Sequence, residues 1–323
     1  MKYTTNRRKF LTASGLTGVA ALAGCVQSQD SGNGGNSGET LSWHAGGEDG
    51  TYYPLSNEFK TIIEDNTDHS VDVQTTGASV ENVGSLANGD ADFALIQNDI
   101  ATFAVNGEGL EDFEGEPIES LRGVATLYPE TIHIVTQDDS GIETLEDLEG
   151  KRINTGDIGS GTQVDALQIL EAVGLEDGDF TEENSGFGDA ADQIQNGDVD
   201  AAFQVGGWPL GAIEDLAQSS GINLIEVSGD VRESVKSEAE FFADDAVPGG
   251  TYEGIDDDVE TIAVQAMVAT SEEIDSGVVE DVTTAIFDNV DDIETKSDFI
   301  DTDSAQDGMS IDLHEGARAY FDE

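Results

Sequence analysis

The chain has 323 residues, and its 69 acidic residues against 12 basic ones give a formal charge of −57 at pH 7. The length suffices for two compact domains, and the charge argues against a nucleic-acid partner, because phosphate binding needs clustered lysine and arginine. The acids are spread between apolar segments such as TIAVQAMVA, unlike a disordered acidic tail. We therefore predict a folded protein with an acidic surface adapted to high salt, which screens charge repulsion.

The first 24 residues are predicted to be an export signal. The paired arginines Arg7 and Arg8 precede an uncharged apolar stretch that is shorter than the roughly 20 residues of a membrane span; such a pair is typical of a twin-arginine signal. The sequence LAGC then resembles a lipobox, so Cys25, the single cysteine, is the predicted lipidation site. Residues 25–40 are predicted to be a flexible tether. The mature chain is expected to be exported and lipid-anchored on the outer face of the cytoplasmic membrane.

From Leu41 onward, short apolar runs alternate with helical periods, a pattern typical of parallel α/β units. In the first part of this region we predict strands at 41–46, 71–76 and 93–97, and helices at 50–66, 79–89 and 99–107.

Residues 121–138 are too long for one ordinary strand, and Pro129 has no N–H to give to a sheet. We therefore predict two strands joined by a crossover at Tyr128–Glu130, where the chain passes from one lobe to the next. The second lobe is predicted to hold strands ending at 156, 206 and 228 and helices at 160–174, 188–197 and 208–221. A strand at 260–270 and helices at 278–293 and 313–323 then complete the first lobe. The predicted lobes are 41–127 plus 229–323, and 128–228.

One short unit occurs twice, as LANGDADFALIQ at 86–97 and IQNGDVDAAFQV at 194–205. We interpret it as one helix–turn–strand element in each lobe, in which Asn-Gly supplies a turn with positive φ. In open α/β sheets, ligands lie beyond the carboxyl ends of the strands, so the cleft between the lobes is the predicted site. Two coincidental Asn-Gly turns are the alternative.

Polar loops at the predicted strand ends supply the candidate site residues. Ser79 and Ser160 stand where helices begin, and helix N-termini bind carboxylates through free N–H groups and the helix dipole; a plain helix cap is the alternative. Tyr52, Tyr53 and Trp208 are either flat walls of the cleft or packing residues. The predicted ligand-binding set is Tyr52, Tyr53, Ser79, Asn82, Gln97, Asp99, Tyr128, Glu130, Ser160, Gly161, Thr162, Gln163, Gln204 and Trp208.

Catalytic and metal motifs are missing from the sequence. The four histidines have no metal-ligand spacing, GSGT lacks the Gly-Lys of a phosphate loop, and no nucleophile elbow occurs. His133 is predicted to lie in a strand. It has either a structural role with its ring hydrogen-bonded or a place in the wall of the cleft. We predict a binding protein rather than an enzyme, with no metal and no cofactor.

The segments GTYYPL, TGASVEN, GDADFALIQND, LYPE, GSGT and LHEGARAYF, in that order from about residue 41 to the end, resemble the TAXI-type solute-binding proteins of TRAP transporters, here in a haloarchaeal-like, lipid-anchored form. The resemblance implies an α/β, two-lobed, type II periplasmic-binding-protein fold that closes on a small solute. It also implies delivery to membrane permease subunits driven by an ion gradient rather than ATP. The sequence departs from the pattern at Trp208, where a smaller residue is expected.

Known members of that family bind glutamate, glutamine or related carboxylates, so the resemblance implies a small carboxylate or amino-acid solute. Ser79 and residues 160–162 would then hold carboxylates, Asp99 or Glu130 would take an ammonium group, and the tyrosines and Trp208 would wall the solute. The alternatives are a binding protein of another transporter class or of a sensor system, and a transferase on the same fold.

Overall fold

The computed structural model describes residues 38–239 and 241–322. The predicted signal, Cys25 and residues 25–37 of the predicted tether lie outside the described residues. Within them, no helix is both long and apolar enough to cross a membrane.

The described residues form strands that we number in chain order: β1 (Thr40–His44), β2 (Ser70–Gln74), β3 (Phe93–Gln97), β4 (Leu121–Gln137), β5 (Arg152–Asn154), β6 (Thr181–Glu183), β7 (Ala201–Val205), β8 (Ile222–Leu224), β9 (Ala243–Val247) and β10 (Val259–Ser271). The helices are α1 (Tyr52–Asn66), α2 (Ser79–Asn88), α3 (Asn98–Asn106), α4 (Gly161–Ala172), α5 (Phe187–Asn196), α6 (Gly211–Ser219), α7 (Gly229–Glu238), α8 (Ser276–Asp288) and α9 (Glu315–Phe321), with short 3₁₀ turns at Leu145–Leu148 and Val290–Asp292.

Two α/β lobes share a pair of long antiparallel strands. The first lobe has the strand order β2-β1-β3-β10-β4, and the second has β4-β7-β5-β6, with β8 paired to β4 and β9 to β10. β1 is parallel to β2 and β3, and β5 is parallel to β6 and β7. The carboxyl ends of these parallel strands mark the cleft edge of each lobe.

The predicted crossover at Tyr128–Glu130 is wrong, because β4 runs unbroken from Leu121 to Gln137. Pro129 stands opposite Gln265 of β10, and the pairing shifts register between Gln265 and Met267. Proline is tolerated where a strand is irregular, because its missing N–H then breaks no regular pair. The passage between lobes is therefore a continuous strand rather than a loop.

Five other elements differ from the sequence prediction. α6 begins at Gly211, after Pro209 rather than around it, and the bond between Trp208 and Pro209 is cis. β8 covers 222–224 of the predicted 222–228. Segments α7, β6 and β9 were not predicted, since their sequences carry few apolar residues in regular periods.

Each lobe has its own apolar core. In the first lobe, Trp43 is fully buried and stacks on Phe93 with ring centroids 5.4 Å apart. In the second lobe, Ile153 and Phe203 pack with Val235 of α7. Because residues after 228 contribute to this second core, we propose that the lobe boundary runs through β4 and β10 rather than at residue 229.

The duplicated unit builds the same joint in both lobes. Gly89 and Gly197 end α2 and α5 with φ values of 73° and 69°, as the Asn-Gly pattern predicts. The second aspartate of each unit then fastens two parallel strands. Asp92 accepts the Ser42 N–H at 2.7 Å, and Asp200 accepts the Arg152 N–H at 2.8 Å.

Candidate functional site: the cleft between the lobes

A cavity of about 90 Å³ lies between the lobes, where the parallel strands of both sheets end. Its first-lobe wall comes from the segments that follow β1 and β2 and from the end of β3. Its second-lobe wall comes from the segments that follow β5 and β6 and from Val205 at the end of β7. The position matches the rule for open α/β sheets. Drug-sized ligands occupy pockets of roughly 300–1,000 Å³, so this smaller cavity suits a small solute.

Half of the predicted residues line this cavity, namely Tyr52, Ser79, Gln97, Glu130, Ser160, Gly161 and Thr162. The other half lie outside its lining, namely Tyr53, Asn82, Asp99, Tyr128, Gln163, Gln204 and Trp208.

The first-lobe helix start is unusual. α2 begins after Ala78, which has φ 69° and ψ −140° and offers no side-chain cap. Ser79 is therefore already a helical residue, and its hydroxyl accepts the Gln97 N–H at 3.2 Å instead of capping α2. The plain cap considered for Ser79 is wrong, because the serine stands one position too late in the helix. The first N–H groups of α2 have no acceptor within the helix.

The second-lobe helix start is an ordinary cap, as considered for Ser160. The Ser160 hydroxyl accepts the Gln163 N–H at 3.1 Å and donates to the Asp157 carbonyl at 2.8 Å. The N–H groups of Gly161 and Thr162 have no acceptor within the helix. The Gln163 side chain turns away from the cavity and binds Gly159 N–H and Glu182, so it holds the loop before α4.

Gln97 and Gly161 bring the lobes into contact. A Cβ built on Gly161 would lie 1.5 Å from Oε1 of Gln97, so only glycine leaves room for this side chain. The Gln97 amide Nε2 donates to Asp165 at 3.2 Å and lies 3.5 Å from Glu130. One amide from the first lobe thus touches β4 and the second lobe at once.

Three buried carboxyl groups surround this amide. Glu130 lines the cavity, whereas Asp99 on α3 and Asp165 on α4 lie behind it and are 0% exposed. Burial raises the pKa of Glu130 to about 7, against the opposing influence of the Tyr128 hydroxyl, the Gln97 amide and Lys296. Burial likewise raises the pKa of Asp99 to about 7 and that of Asp165 well above its ordinary value. Displaced carboxyl pKa values of this kind are common at functional sites.

Asp165 was missed by the sequence analysis. It stands in GTQVDALQIL, one helical turn after Gly161, at a position that helical periodicity places among apolar residues. An aspartate on the apolar face of a helix was the available signal, because a buried carboxyl needs a special partner.

Lys296 is the cation nearest to Glu130 among the described residues, although the cavity lining does not include it. Its ammonium group donates to the Trp208 carbonyl across the lobe boundary. Burial lowers its pKa to about 8, with Glu130 acting in the opposite direction.

The aromatic residues predicted to wall the cleft have different roles in the structure. Tyr52 lines the cavity, whereas its neighbour Tyr53 packs against the first core. Tyr128 is fully buried beside Glu130. Trp208 packs against the second lobe and meets Phe299 edge-on at 6.0 Å, the interlobe packing that was the alternative for this residue.

Asn82 and Gln204 support the cleft from behind. The Asn82 amide donates to the carbonyls of Ala45 and Leu95 at 2.6 and 2.8 Å, which fixes the ends of β1 and β3. Gln204 donates to the Phe187 carbonyl at 3.3 Å.

His133 has the structural role considered in the sequence analysis. Its Nδ1 bonds the carbonyls of Thr131 and Gln204, and its Nε2 lies 3.1 Å from the Tyr252 hydroxyl. Burial lowers its pKa to about 4, so the ring is neutral at pH 7.

The charges of the lining define what the cavity can bind. Its titratable carboxylates are Asp49, Glu130 and Asp157, and no lysine, arginine or histidine is among the described lining residues. Positive potential comes from the helix starts in the lining, which are those of α1, α2, α4 and α5. The arrangement suits a small solute with a carboxylate and a cationic group. Among the described residues, no group of three or more His, Cys, Asp or Glu is placed to hold a metal ion.

A larger open groove of about 940 Å³ lies beside the cleft and shares Asp49, Gly50, Thr51 and Gly186 with it. Because the groove lacks the buried carboxyls, we assign the site to the smaller cavity.

The profile of a family described as "NMT1-like family" matches residues 44–323. A solved structure described as "Structure of a periplasmic transporter" aligns with a TM-score of 0.55 at 11% identity, over 89% of this chain and 95% of that chain. XAC2383 from Xanthomonas citri, bound to ATP, aligns with a TM-score of 0.50 at 9% identity, over 88% and 94%. The alkanesulfonate-binding protein SsuA from Xanthomonas axonopodis pv. citri, bound to MOPS, aligns at 0.47 and 16% identity, over 80% and 78%. The two-lobed type II periplasmic-binding-protein fold predicted from the sequence is thereby confirmed.

Proposed function

This chain belongs to the NMT1-like family, and we propose that it is an extracytoplasmic solute-binding receptor. The proposed ligand is a small carboxylate, and an amino acid such as glutamate or glutamine is the first candidate. We further propose that it serves a TRAP-type secondary transporter of the TAXI kind, on the sequence motifs that resemble that family. The observation that carries the proposal is a cavity lined by both lobes, with the helix starts at Ser79 and Gly161 on its walls and the buried carboxyl of Glu130 in its lining.

The proposed pose follows from the charges of the lining. The solute carboxylate lies against the helix starts at Ser79 and at Gly161–Thr162, which offer N–H groups and hydroxyls. The ammonium group lies against Glu130, where it gives the buried carboxylate a cationic partner. Tyr52 covers the solute from the first lobe.

Binding is tested with the solute that copurifies. Mass spectrometry identifies that solute after extraction, and isothermal titration in molar KCl compares L-glutamate with glutarate, which lacks the amino group. We expect L-glutamate or a related amino acid to bind at least tenfold more tightly than glutarate. Equal affinity, or no amino acid in the extract, would contradict the proposed solute class.

Residues on both sides of the cleft are expected to matter. Ser79→Ala and Thr162→Ala should each weaken binding by about tenfold, roughly 1.4 kcal/mol. Thr61→Ala, at an exposed position of α1 outside the cavity lining, is the matched control.

The same assay separates a receptor from an enzyme. A receptor returns its solute unchanged after long incubation, whereas a transferase on this fold converts it. Uptake into vesicles that contain the permease subunits separates the transporter classes. A TRAP system works on an ion gradient without ATP, and strict ATP dependence would instead favour another transporter class.

Export and anchoring are proposed from the N-terminal sequence. We expect Cys25→Ser to release the mature protein from the membrane fraction, and Arg7→Lys with Arg8→Lys to hold the precursor in the cytoplasm. Membrane retention of the serine variant would contradict the lipid anchor.

Adaptation to salt is proposed from the charge. After Cys25, eight basic residues face 69 acidic ones, a formal charge of −61. The Debye length grows from about 3 Å at 1 M salt to about 30 Å at 0.01 M, so repulsion should unfold the protein as salt is removed. Circular dichroism across this range measures the loss, and an unchanged spectrum at low salt would disprove it.

A further inference from the structure

The buried carboxyls Asp99 and Asp165 meet across the boundary between the lobes. Asp99 lies in the first turn of α3 in the first lobe, and Asp165 lies on α4 in the second. Both side chains are 0% exposed, and they interact directly with each other. Neither lines the solute cavity. The contact therefore exists only while the lobes are together.

Hydrogen-bond accounting shows that this contact lacks a donor. An ionised carboxylate only accepts hydrogen bonds, whereas a protonated one also donates. Among the described residues, neither oxygen of Asp99 has a hydrogen-bond partner of normal geometry, and Oδ1 of Asp165 also lacks one. The amide Nε2 of Gln97 serves Oδ2 of Asp165, and the backbone N–H groups of Asp99 and Ile100 act on the Asp99 carboxyl, but none of these donors lies between the two aspartates. Two ionised carboxylates buried in contact would be strongly unfavourable.

The groups that face the pair from neighbouring elements do not relieve it. Glu130 of β4 adds a further negative charge, which acts on Asp165. Tyr52 of α1 and Tyr128 of β4 are neutral, because burial raises the pKa of both hydroxyls. The charge of Lys296 acts on Glu130 and His133. One proton placed on either aspartate supplies the missing donor.

We propose that Asp99 and Asp165 form a proton-binding site across the cleft, which holds one shared proton when the lobes are closed and releases it when they separate. Closing then takes up a proton and opening gives it back. This site is separate from the solute pose, and the proposal does not depend on which solute is bound.

The direction of the pH effect follows from linkage. Separated aspartates in water bind a proton only below about pH 4, whereas burial keeps the pKa of Asp99 in the closed molecule near 7. Between these values the closed, folded form binds more protons than the open or unfolded form, so its stability falls as pH rises. Below about 4 both forms are protonated, and above 7 the closed form has lost the shared proton.

The first experiment measures unfolding of the full mature chain in molar KCl at several pH values from 5.5 to 8.5, with no solute. Asp165→Asn keeps the size of the side chain and supplies an N–H donor without a proton, and Asp99→Asn does the same from the other side. Asp192→Asn, on the exposed face of α5, is the matched control. Because the charge of Glu130 acts on Asp165, each comparison is repeated in a Glu130→Gln background, which removes the titration of Glu130.

We expect the folding equilibrium constant of the wild type to fall by up to about tenfold per pH unit between 5.5 and 6.5, the slope of one proton, relative to the double variant Asp99→Asn/Asp165→Asn, which has no carboxyl at this contact. Asp192→Asn should follow the wild type. If the wild type and the double variant show parallel pH curves, no shared proton exists and the proposal is wrong.

Small-angle scattering of the wild type supplies a second readout that needs no variant. The radius of gyration should be smaller at pH 5.5 than at pH 8.5, and Asp165→Asn should be contracted at both. A wild-type radius that does not change across this range overturns the link to closure, even if a buried variant fails to fold.

Discussion

The two helix starts that face each other across the cleft use the same kind of residue in different ways. In the second lobe, the Ser160 hydroxyl caps its own helix and takes the N–H of Gln163. In the first lobe, the helix begins after a strained Ala78, and the Ser79 hydroxyl takes the N–H of Gln97 at the end of β3. The serine of one lobe thus fixes a helix, and the serine of the other fixes a strand end.

The difference has a functional consequence. Gln97 is the residue through which the first lobe touches Gly161 and Asp165 of the second, and Ser79 holds its backbone in place. Strained backbone tends to persist where surrounding structure enforces it for function. The first lobe therefore carries the precisely positioned half of the cleft, and the second lobe offers a regular helix end.

The largest effect is expected where the two lobes touch. Gly161→Ala places a methyl group 1.5 Å from the Gln97 Oε1 position, so the amide must leave Glu130 and Asp165. We expect solute affinity, measured by titration calorimetry, to fall by roughly tenfold to a hundredfold. Gly161 has no positive φ, so backbone strain does not contribute.

Two controls define the cause of that loss. Gly211→Ala also changes the first residue of a second-lobe helix, but nothing lies within 4 Å of the added Cβ, and it should be neutral. In a double-mutant cycle, Gly161→Ala should cost little once Gln97 is alanine. Additive losses would place the effect elsewhere than the Gln97 amide.

The two serines should differ in what their loss does to stability. Ser79→Ala leaves the buried N–H of Gln97 without its acceptor, at a cost of about 1–3 kcal/mol. Ser160→Ala removes a helix cap, at a cost of about 1 kcal/mol. Denaturant unfolding in molar salt measures both, and a larger loss at Ser160 would reverse the comparison.

Asp92 and Asp200, the aspartates that each link two parallel strands, provide an isosteric test. Asp200→Asn loses the charge that Arg152 meets at 2.7 Å, while an amide oxygen can still accept the Arg152 N–H. Asp92→Asn keeps its acceptor for Ser42 and loses no cation. We expect a cost of about 1 kcal/mol at Asp200, limited by its partial exposure, and a few tenths at Asp92.

Acid should remove the difference between the stability costs of Asp200→Asn and Asp92→Asn. The Arg152 side chain lowers the pKa of Asp200, so the stabilisation is complete above the ordinary aspartate value of about 3.9 and is lost as pH falls through the lower folded value. Unfolding curves measured from pH 5 downward should show Asp200→Asn approaching the wild type. A difference that stays constant to the lowest pH would argue against the ion pair.

A gain in stability, rather than a loss, is expected at Ala78. A non-glycine residue with φ 69° and ψ −140° costs about 1–3 kcal/mol, part of which Ala78→Gly recovers after its own entropy cost. We expect about 1 kcal/mol of added stability in denaturant unfolding. The exposed Ala87 of α2 serves as control, because glycine there should cost about 1 kcal/mol; equal losses at both positions would mean that Ala78 is not strained.

The sequence by itself determined most of the elements and their arrangement into two lobes. Alternating apolar periods and Asn-Gly turns act over a few residues, so the duplicated units, the helix at Gly161 and the loops at the strand ends are readable locally. The placement of the site at the carboxyl ends of the strands follows from the topology alone.

Only the tertiary structure decided which side chains meet in the cleft. Tyr52 and Tyr53 are neighbours in sequence, but a helix turns by about 100° per residue, so one faces the cavity and the other the core. The continuity of β4 through Pro129 depends on its pairing with β10, more than 130 residues away along the chain. Asp165 joins the buried carboxyls because the second lobe carries it against Gln97 and Asp99 of the first. Such contacts depend on how the two lobes pack against each other, and local sequence patterns carry no information on that packing.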